Sequence, residues 1–239
     1  MDTKMVMPET TAAQALGWVE DETKAISPVI HTSTTYLRDA DNQYRNGRVY
    51  ARDHNPAFDQ AEAVLCELEK GAKAALFASG MAAATAVFMA LKPGNHVIAP
   101  KVMYWSLRNW LANFATQWGL QVEFVDMSNP DELKRAVRLG KTRLVWVETP
   151  ANPLWTITDI AAAAEIARAG GAMLAVDSTT ASPVLTRPLT LGADIVMHSA
   201  TKYLNGHSDV IAGALVPLTL PAFAAVAIFA AIARSVASG

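Results

Sequence analysis

The residues with the clearest chemical potential lie near the C-terminal end of the chain, in the stretch IVMHSATKYLNGHSD at 195–209. An apolar run there gives way at once to Ser199, Thr201 and Lys202. A charged ammonium is costly to bury, so a lysine that follows a buried strand either reaches water or takes part in chemistry. A desolvated lysine becomes a nucleophile and forms Schiff bases with carbonyl compounds.

Two other stretches could complete a site for such a compound. Asp177 ends the apolar run AMLAVD, where a carboxylate either caps a turn or holds a cationic heterocycle at the edge of a sheet. Gly80 and Met81 open a helical pattern after the run AALFAS, and free N–H groups at a helix start bind anions. Each feature alone is weak. Together, the lysine, the carboxylate and the anion site suggest pyridoxal 5′-phosphate (PLP) as cofactor.

The elements that must position these residues follow a regular order between 55 and 216. Helical patterns at 55–69, 80–92, 106–118, 129–139 and 159–170 alternate with apolar runs that predict strands, from AALFAS to VIAGALV. This order is typical of a mostly parallel sheet with helices on both faces, which binds ligands beyond the carboxyl ends of its strands. We expect an extended arm at 1–55, a cofactor-binding α/β domain at 56–216 and an apolar tail at 217–239.

Composition excludes several classes of protein. With 51% hydrophobic and 18% charged residues the chain is globular. Its net charge of -2 provides no excess of positive charge for binding nucleic acid or an anionic membrane. One cysteine excludes an internal disulfide, and five histidines without ligand spacing predict no metal site. The N-terminus lacks the apolar core of a secretory signal, so the cytoplasm is the expected location. Residues 210–233 are uncharged, but Gly213, Pro217 and Pro221 interrupt them, which favours a buried strand over a membrane span.

Several motifs carry a resemblance to a known family. HSATKYLNGHSD closely resembles the lysine signature of the cysteine/methionine-metabolism PLP enzymes, the cystathionine γ-synthase and lyase family. The stretches SPVIHTSTTY, YARDHNPAFDQAE, FASGMAA, VETPANP and VDSTTASP resemble further landmarks of that family in the same order, over roughly residues 25–216. Several ordered motifs are far more specific than one pattern. The resemblance implies the large domain of PLP fold-type I, which is similar to aspartate aminotransferase.

The resemblance also implies roles for individual residues. Lys202 would carry the cofactor as a Schiff base and take the α-proton, and Asp177 would face the pyridine nitrogen. Tyr104 would stack on the ring and help to move protons, while Asn152 would lie near the phenolic oxygen of the ring.

The phosphate of the cofactor would be held from two chains. Within one chain its ligands would be Ser199, Thr201 and the backbone amides of Gly80 and Met81. Tyr50 and Arg52 of the arm would reach the phosphate of a neighbouring subunit. The resemblance therefore implies self-association, as a dimer or a dimer of dimers (a homotetramer), with shared active sites.

The implied chemistry is γ-replacement or β/γ-elimination on an amino-acid substrate in transsulfuration and methionine biosynthesis. Cystathionine γ-synthase activity is the preferred expectation, with cystathionine lyase or O-acyl-homoserine sulfhydrylase activity as alternatives. Trp105, Ser106 and Leu107 follow Tyr104 where the family usually has small residues, which leaves the subtype open. Family members continue into a second, small domain, which we expect to be missing here. Two readings of other classes stay open: an inactive fragment that still binds PLP, and a tail-anchored membrane protein.

Overall fold

A computed structural model describes residues 6–222 and residue 224. These residues form an α/β fold around one seven-stranded sheet, in the order β1-β7-β6-β5-β4-β2-β3. The strands are β1 (Ala75–Phe77), β2 (His96–Pro100), β3 (Gln121–Val125), β4 (Thr142–Glu148), β5 (Met173–Asp177), β6 (Ile195–His198) and β7 (Gly213–Pro217).

The centre of the sheet is parallel. Strands β3, β2, β4, β5 and β6 pair in parallel, as the alternation of apolar runs and helices predicts, so this part of the prediction is confirmed. Strand β7 pairs antiparallel with both β6 and β1. Strand β7 can pair antiparallel with β6 because a turn region joins them, whereas a parallel pair would need a crossover connection such as a helix.

The helices cover both faces of the sheet. They are α1 (Pro8–Gln14), α2 (Pro56–Glu69), α3 (Gly80–Met89), α4 (Trp105–Trp110), α5 (Pro130–Ala136), α6 (Ile160–Ala169) and α7 (Ser182–Leu185). A π-helical turn, Leu111–Ala115, prolongs α4, and 3-10 turns occupy Ala15–Gly17 and Pro188–Leu191. Side chains of Asn55, Ser79, Asn129 and Asp159 accept hydrogen bonds from the first turns of α2, α3, α5 and α6, which fixes where these helices begin.

Two hydrophobic cores lie on opposite faces of the sheet. Along β4, Leu144 and Trp146 pack with residues of α3 and α4, whereas Val145 and Val147 pack with residues of α5 and α6. This alternation is the two-residue period of a strand that is buried on both sides. The indole of Trp146 lies 5.1 Å from the ring of Phe88 in α3. The strands therefore form a rigid platform for the loops at their carboxyl ends.

The structure differs from the sequence-based expectation in the arm and at the ends of helices. The arm at 1–55 is not extended throughout, because α1 lies within it and contacts α2; the Gln60 side chain donates a hydrogen bond to the carbonyl oxygen of Ala15 at 2.6 Å. Seven residues are too few to show a helical period in the sequence. Helix α5 ends at Ala136, three residues before the predicted end, since Val137 adopts an extended backbone.

The C-terminal tail is described only in part. Strand β7 ends at Pro217, and the tail beyond residue 222 lies outside the described residues apart from residue 224. Among the described residues, no helix is both long enough and apolar enough to cross a lipid bilayer.

Candidate functional site

The site is built where the central parallel strands end. Strands β4, β5 and β6 are in register, so Glu148 lies opposite Asp177, and Asp177 lies opposite Met197. The polar residues that follow these three strands therefore meet at one edge of the sheet, as expected for a parallel α/β fold.

Asp177 ends β5 in a buried position. Its side chain is only 8% exposed, and its Oδ1 accepts hydrogen bonds from the backbone N–H of Thr179 at 3.0 Å and from the Thr179 hydroxyl at 2.5 Å. Burial raises the pKa of Asp177 above its usual value, although the bonds from Thr179 oppose the rise. A cation placed against this carboxylate would relieve the cost of burying its charge.

Glu148 is a site residue that the sequence analysis missed. It is 6% exposed and lies beside Asp177; its Oε2 accepts from the backbone N–H of Tyr104 at 2.8 Å and its Oε1 from that of Asn152 at 2.7 Å. Burial, and then the neighbouring charge of Asp177, raise the pKa of Glu148 to about 7. The sequence held a signal, because VETP and VDST both place an acid after an apolar strand and before a hydroxyl residue.

The start of α3 forms a tight cradle with the residue after β6. A Cβ atom added at Gly80 would lie 2.6 Å from Ser199 Oγ and 2.7 Å from Ser199 Cβ, so a side chain at residue 80 would collide with Ser199. Ser79 caps the helix by accepting from the N–H of Ala82, while N–H groups at the start of a helix lack intrahelical partners. Gly80, Met81 and Ser199 thus meet where the helix dipole favours an anion.

Lys202 lies in a turn that projects from β6. Its backbone N–H donates to the carbonyl oxygen of Ser199 at 3.1 Å, and its own carbonyl oxygen accepts from Gly206 at 2.9 Å. The Thr201 hydroxyl donates to the Ala212 carbonyl oxygen at 3.1 Å and accepts from the Ala212 N–H at 3.0 Å, which ties the turn to the segment before β7. The Lys202 side chain is exposed, which is one of the two possibilities that the sequence left open.

Tyr104 and Asn152 are held near each other by Glu148. Tyr104 directly precedes α4 and is 43% exposed, and Asn152 is exposed in the loop after β4. Both loops leave the same edge of the sheet, so both side chains lie on the side of the sheet where Asp177 ends β5.

Tyr50 and Arg52 lie on the flank of this edge rather than inside it. They line a cavity of about 380 Å³ between the arm and the end of β1, which Ala78 and Ala212 also line. The guanidinium carbon of Arg52 lies 5.1 Å from the centre of the Tyr50 ring. Because Ala78 is two residues before Gly80 and Ala212 bonds to Thr201, the arm residues lie close to the cradle of their own chain.

A buried pair lies behind the cradle. His198 Nε2 and Glu69 Oε1 are 2.6 Å apart, and both side chains are fully buried. Glu69 ends α2 and His198 directly precedes Ser199, so the pair fixes α2 to the strand that leads into the site. The sequence analysis did not foresee Glu69 as the partner of His198.

The residues present fit PLP. A buried carboxylate with a raised pKa, Asp177, suits a pyridinium nitrogen, because the cation would offset the cost of its burial. At the start of α3, the absence of a side chain at Gly80 lets the Ser199 hydroxyl lie close to the helix start. A phosphate cradle requires such an arrangement of a hydroxyl and free backbone N–H groups. The exposed Lys202 follows on the same loop.

Comparison with known proteins assigns the family. The model of the family described as Cys/Met metabolism PLP-dependent enzyme matches residues 9–230. The chain belongs to this family. Similar curated proteins include the cystathionine γ-synthase of Mycobacterium leprae, which is 43% identical over 195 residues, and the cystathionine γ-lyase of Bacillus subtilis, which is 42% identical over 197 residues. These alignments cover 81% and 82% of this chain but 50% and 52% of the relatives, so the chain spans about half their length.

Solved structures agree with the sequence comparison. Cystathionine γ-synthase from Xanthomonas oryzae pv. oryzae, in complex with aminoacrylate and cysteine, is 35% identical and has a TM-score of 0.87 to this chain. The likeness covers 96% of this chain and 59% of that one. The predictions of a fold-type I α/β large domain and of membership in a PLP-dependent family are therefore confirmed.

Proposed function

We propose that this chain forms the cofactor-binding part of a PLP-dependent enzyme of sulfur amino acid metabolism. The reaction would be γ-replacement or β/γ-elimination, and cystathionine γ-synthesis is the preferred activity. The observation that carries the proposal is the meeting of buried Asp177, the Gly80–Ser199 cradle and the Lys202 turn at one edge of the sheet. Similar proteins with these activities in their names support the choice of chemistry.

Each residue of the chain has a distinct task in this proposal. When bound, PLP supplies an electron sink that stabilises negative charge at the substrate α-carbon. Lys202 Nζ would hold the cofactor covalently and, when free of it, would accept the α-proton of the substrate. Asp177 would hold the pyridine nitrogen, and the protonated nitrogen would in turn favour the ionised form of this buried carboxyl.

The remaining site residues bind and orient. The hydroxyls of Ser199 and Thr201 and the amides of Gly80 and Met81 would hold the phosphate, and the helix dipole would add to the attraction. Tyr104 would stack on the ring, and Asn152 would donate to its phenolic oxygen. The Thr201 hydroxyl can bind the phosphate only if it gives up one of its present hydrogen bonds to Ala212.

The subtype is open between synthesis and elimination because the relatives include both a γ-synthase and a γ-lyase at almost the same identity. The discriminating experiment is a steady-state assay of the full-length protein with an O-acyl-homoserine and cysteine, and separately with cystathionine. Net formation of cystathionine supports the synthase, whereas release of a keto acid, ammonia and a thiol amino acid from cystathionine supports a lyase. No reaction in either assay would contradict the proposed activity.

Assembly and location are part of the same proposal. We infer that the protein works in the cytoplasm as a dimer or a dimer of dimers. Tyr50 and Arg52 are exposed on the arm, which leaves both side chains accessible to a second chain and supports shared active sites.

A further inference from the structure

Glu148 occupies an unusual place in the fold. Its carboxylate is nearly buried at the end of the central strand β4 and lies directly opposite a second buried carboxylate, Asp177. Burying two acids side by side is unfavourable, so Glu148 destabilises the fold unless its other contacts compensate. Its hydrogen bonds identify those contacts.

The two oxygens of Glu148 bind two different loops. Oε2 accepts from the N–H of Tyr104, which is 44 residues earlier and directly precedes α4, and Oε1 accepts from the N–H of Asn152, which follows β4. Bonds from backbone N–H groups to a carboxylate are among the stronger hydrogen bonds in proteins. One side chain therefore links the two loops that carry the ring-facing residues of the proposed function.

Both bonds act on the backbone and not on the side chains of the two residues. Tyr104 is 43% exposed and Asn152 is exposed, so neither side chain is fixed by burial. Holding the N–H of a residue fixes the direction of its Cα–Cβ bond, and that direction limits where its side chain can reach.

We propose that Glu148 is a positioning residue, which anchors the backbone of Tyr104 and Asn152 at once and thereby sets the orientation of the Tyr104 ring over the cofactor. The role in orientation rests on the proposed function, because only there do these two side chains face PLP. The anchoring itself is independent of any cofactor.

The first test needs no cofactor. Glu148→Gln keeps the size of the side chain, but its amide retains one acceptor oxygen and turns an NH₂ group toward the second N–H. We expect hydrogen exchange of the amides at Tyr104 and Asn152 to accelerate by about tenfold or more at one or both positions, measured by mass spectrometry of the peptides that contain them. Exchange in the peptides of α6 and β6 should stay unchanged.

A matched control is available in Glu123→Gln. Glu123 also accepts two hydrogen bonds, from Arg138 and His96, but it lies on the edge strand β3 and away from these loops. This variant should leave exchange at Tyr104 and Asn152 as in the wild type. If Glu148→Gln folds poorly, Glu148→Asp, whose shorter side chain draws both oxygens back, should show the same local acceleration. Wild-type exchange at both amides in a folded Glu148 variant would overturn the anchoring.

The second test addresses orientation. At saturating PLP, the visible circular dichroism of each bound cofactor depends on its asymmetric surroundings, so Glu148→Gln should change this signal while Glu123→Gln should not. An unchanged signal in Glu148→Gln, with wild-type PLP affinity, would contradict the positioning role and leave the proposed function intact. Absence of PLP binding by the wild-type protein would contradict the proposed function and with it the orienting role, while the exchange experiment would still decide the anchoring.

Discussion

Replacement of Gly80 by alanine tests the phosphate cradle. The added Cβ would lie 2.6 Å from Ser199 Oγ, 2.7 Å from Ser199 Cβ and 3.0 Å from Ser199 Cα, so either Ser199 or the start of α3 must move. Rotation of the Ser199 hydroxyl cannot relieve contacts to its Cβ and Cα, and the Ser199 N–H is already bound to the Thr179 hydroxyl at 2.8 Å. The cradle must therefore open.

The magnitude follows from these contacts. Overpacking costs about 1–3 kcal/mol and alanine returns up to about 1 kcal/mol of helix propensity, so we expect a net loss in unfolding free energy of about 1–2 kcal/mol. The effect on the cofactor should be larger. Losing one or two hydrogen bonds to a charged phosphate costs about 1.5–3 kcal/mol, which corresponds to about a 10- to 100-fold weaker affinity for PLP.

The assay is a PLP titration followed by absorbance, with thermal unfolding measured in parallel. Gly170→Ala is a matched control, because its Cβ would lie 2.2 Å from Val137 Cγ1 at the end of α6, far along the chain from the cradle. It should lower stability to a similar extent and leave PLP affinity unchanged. Wild-type affinity in Gly80→Ala, or equal losses of affinity in both variants, would refute the assignment of Gly80 and Ser199 to the phosphate.

Further predictions concern the two carboxylates and the arm. Asp177→Ala should lower turnover of the full-length enzyme by about 100-fold or more while PLP affinity falls much less, because the electron sink depends on the protonated ring nitrogen; equal losses in both would contradict this role. Because the pKa of Glu148 is raised in the folded state, its carboxyl is still largely protonated there at pH values where it is already ionised in the unfolded state. The unfolding free energy should therefore fall by about 2–3 kcal/mol as the pH rises from 4.5 to 7. Glu148→Gln should flatten that slope in urea titrations, and an unchanged slope would show that another group causes it. Mixed oligomers of full-length Arg52→Ala and Lys202→Ala chains should regain activity that neither variant has, whereas no recovery in verified mixed oligomers would argue against shared sites.

Much of the fold could be predicted because its signals are local. The apolar run before Asp177 forms β5, and the run before Lys202 forms β6, since continuous apolar segments are typical of strands buried on both faces. Because Asp177 and Lys202 follow the ends of predicted parallel strands, the sequence also predicted that they lie at one edge of the sheet. Ser79 and Gly80 lie where a helix was expected to begin.

The parts that could not be predicted depend on tertiary contacts. The pattern VETP marks Glu148 as a strand-end acid like Asp177, but its role arises from the register of β4 against β5 and from a loop 44 residues earlier, which the local sequence does not show. The buried partner of His198 is Glu69, which is 129 residues away along the chain and ends α2. The sequence left open whether Lys202 reaches water, because strand patterns do not show how far the following turn projects.

The measurement that tests the central claim most directly is chemical mapping of the cofactor attachment site. The protein is saturated with PLP, reduced with borohydride so that the bond to the lysine becomes permanent, digested and analysed by mass spectrometry. Our account predicts one stoichiometric label on Lys202 and none on the same peptide of Lys202→Ala, with Lys70→Ala labelled as in the wild type. A label on another lysine, or equal labelling of Lys202→Ala, would contradict the account.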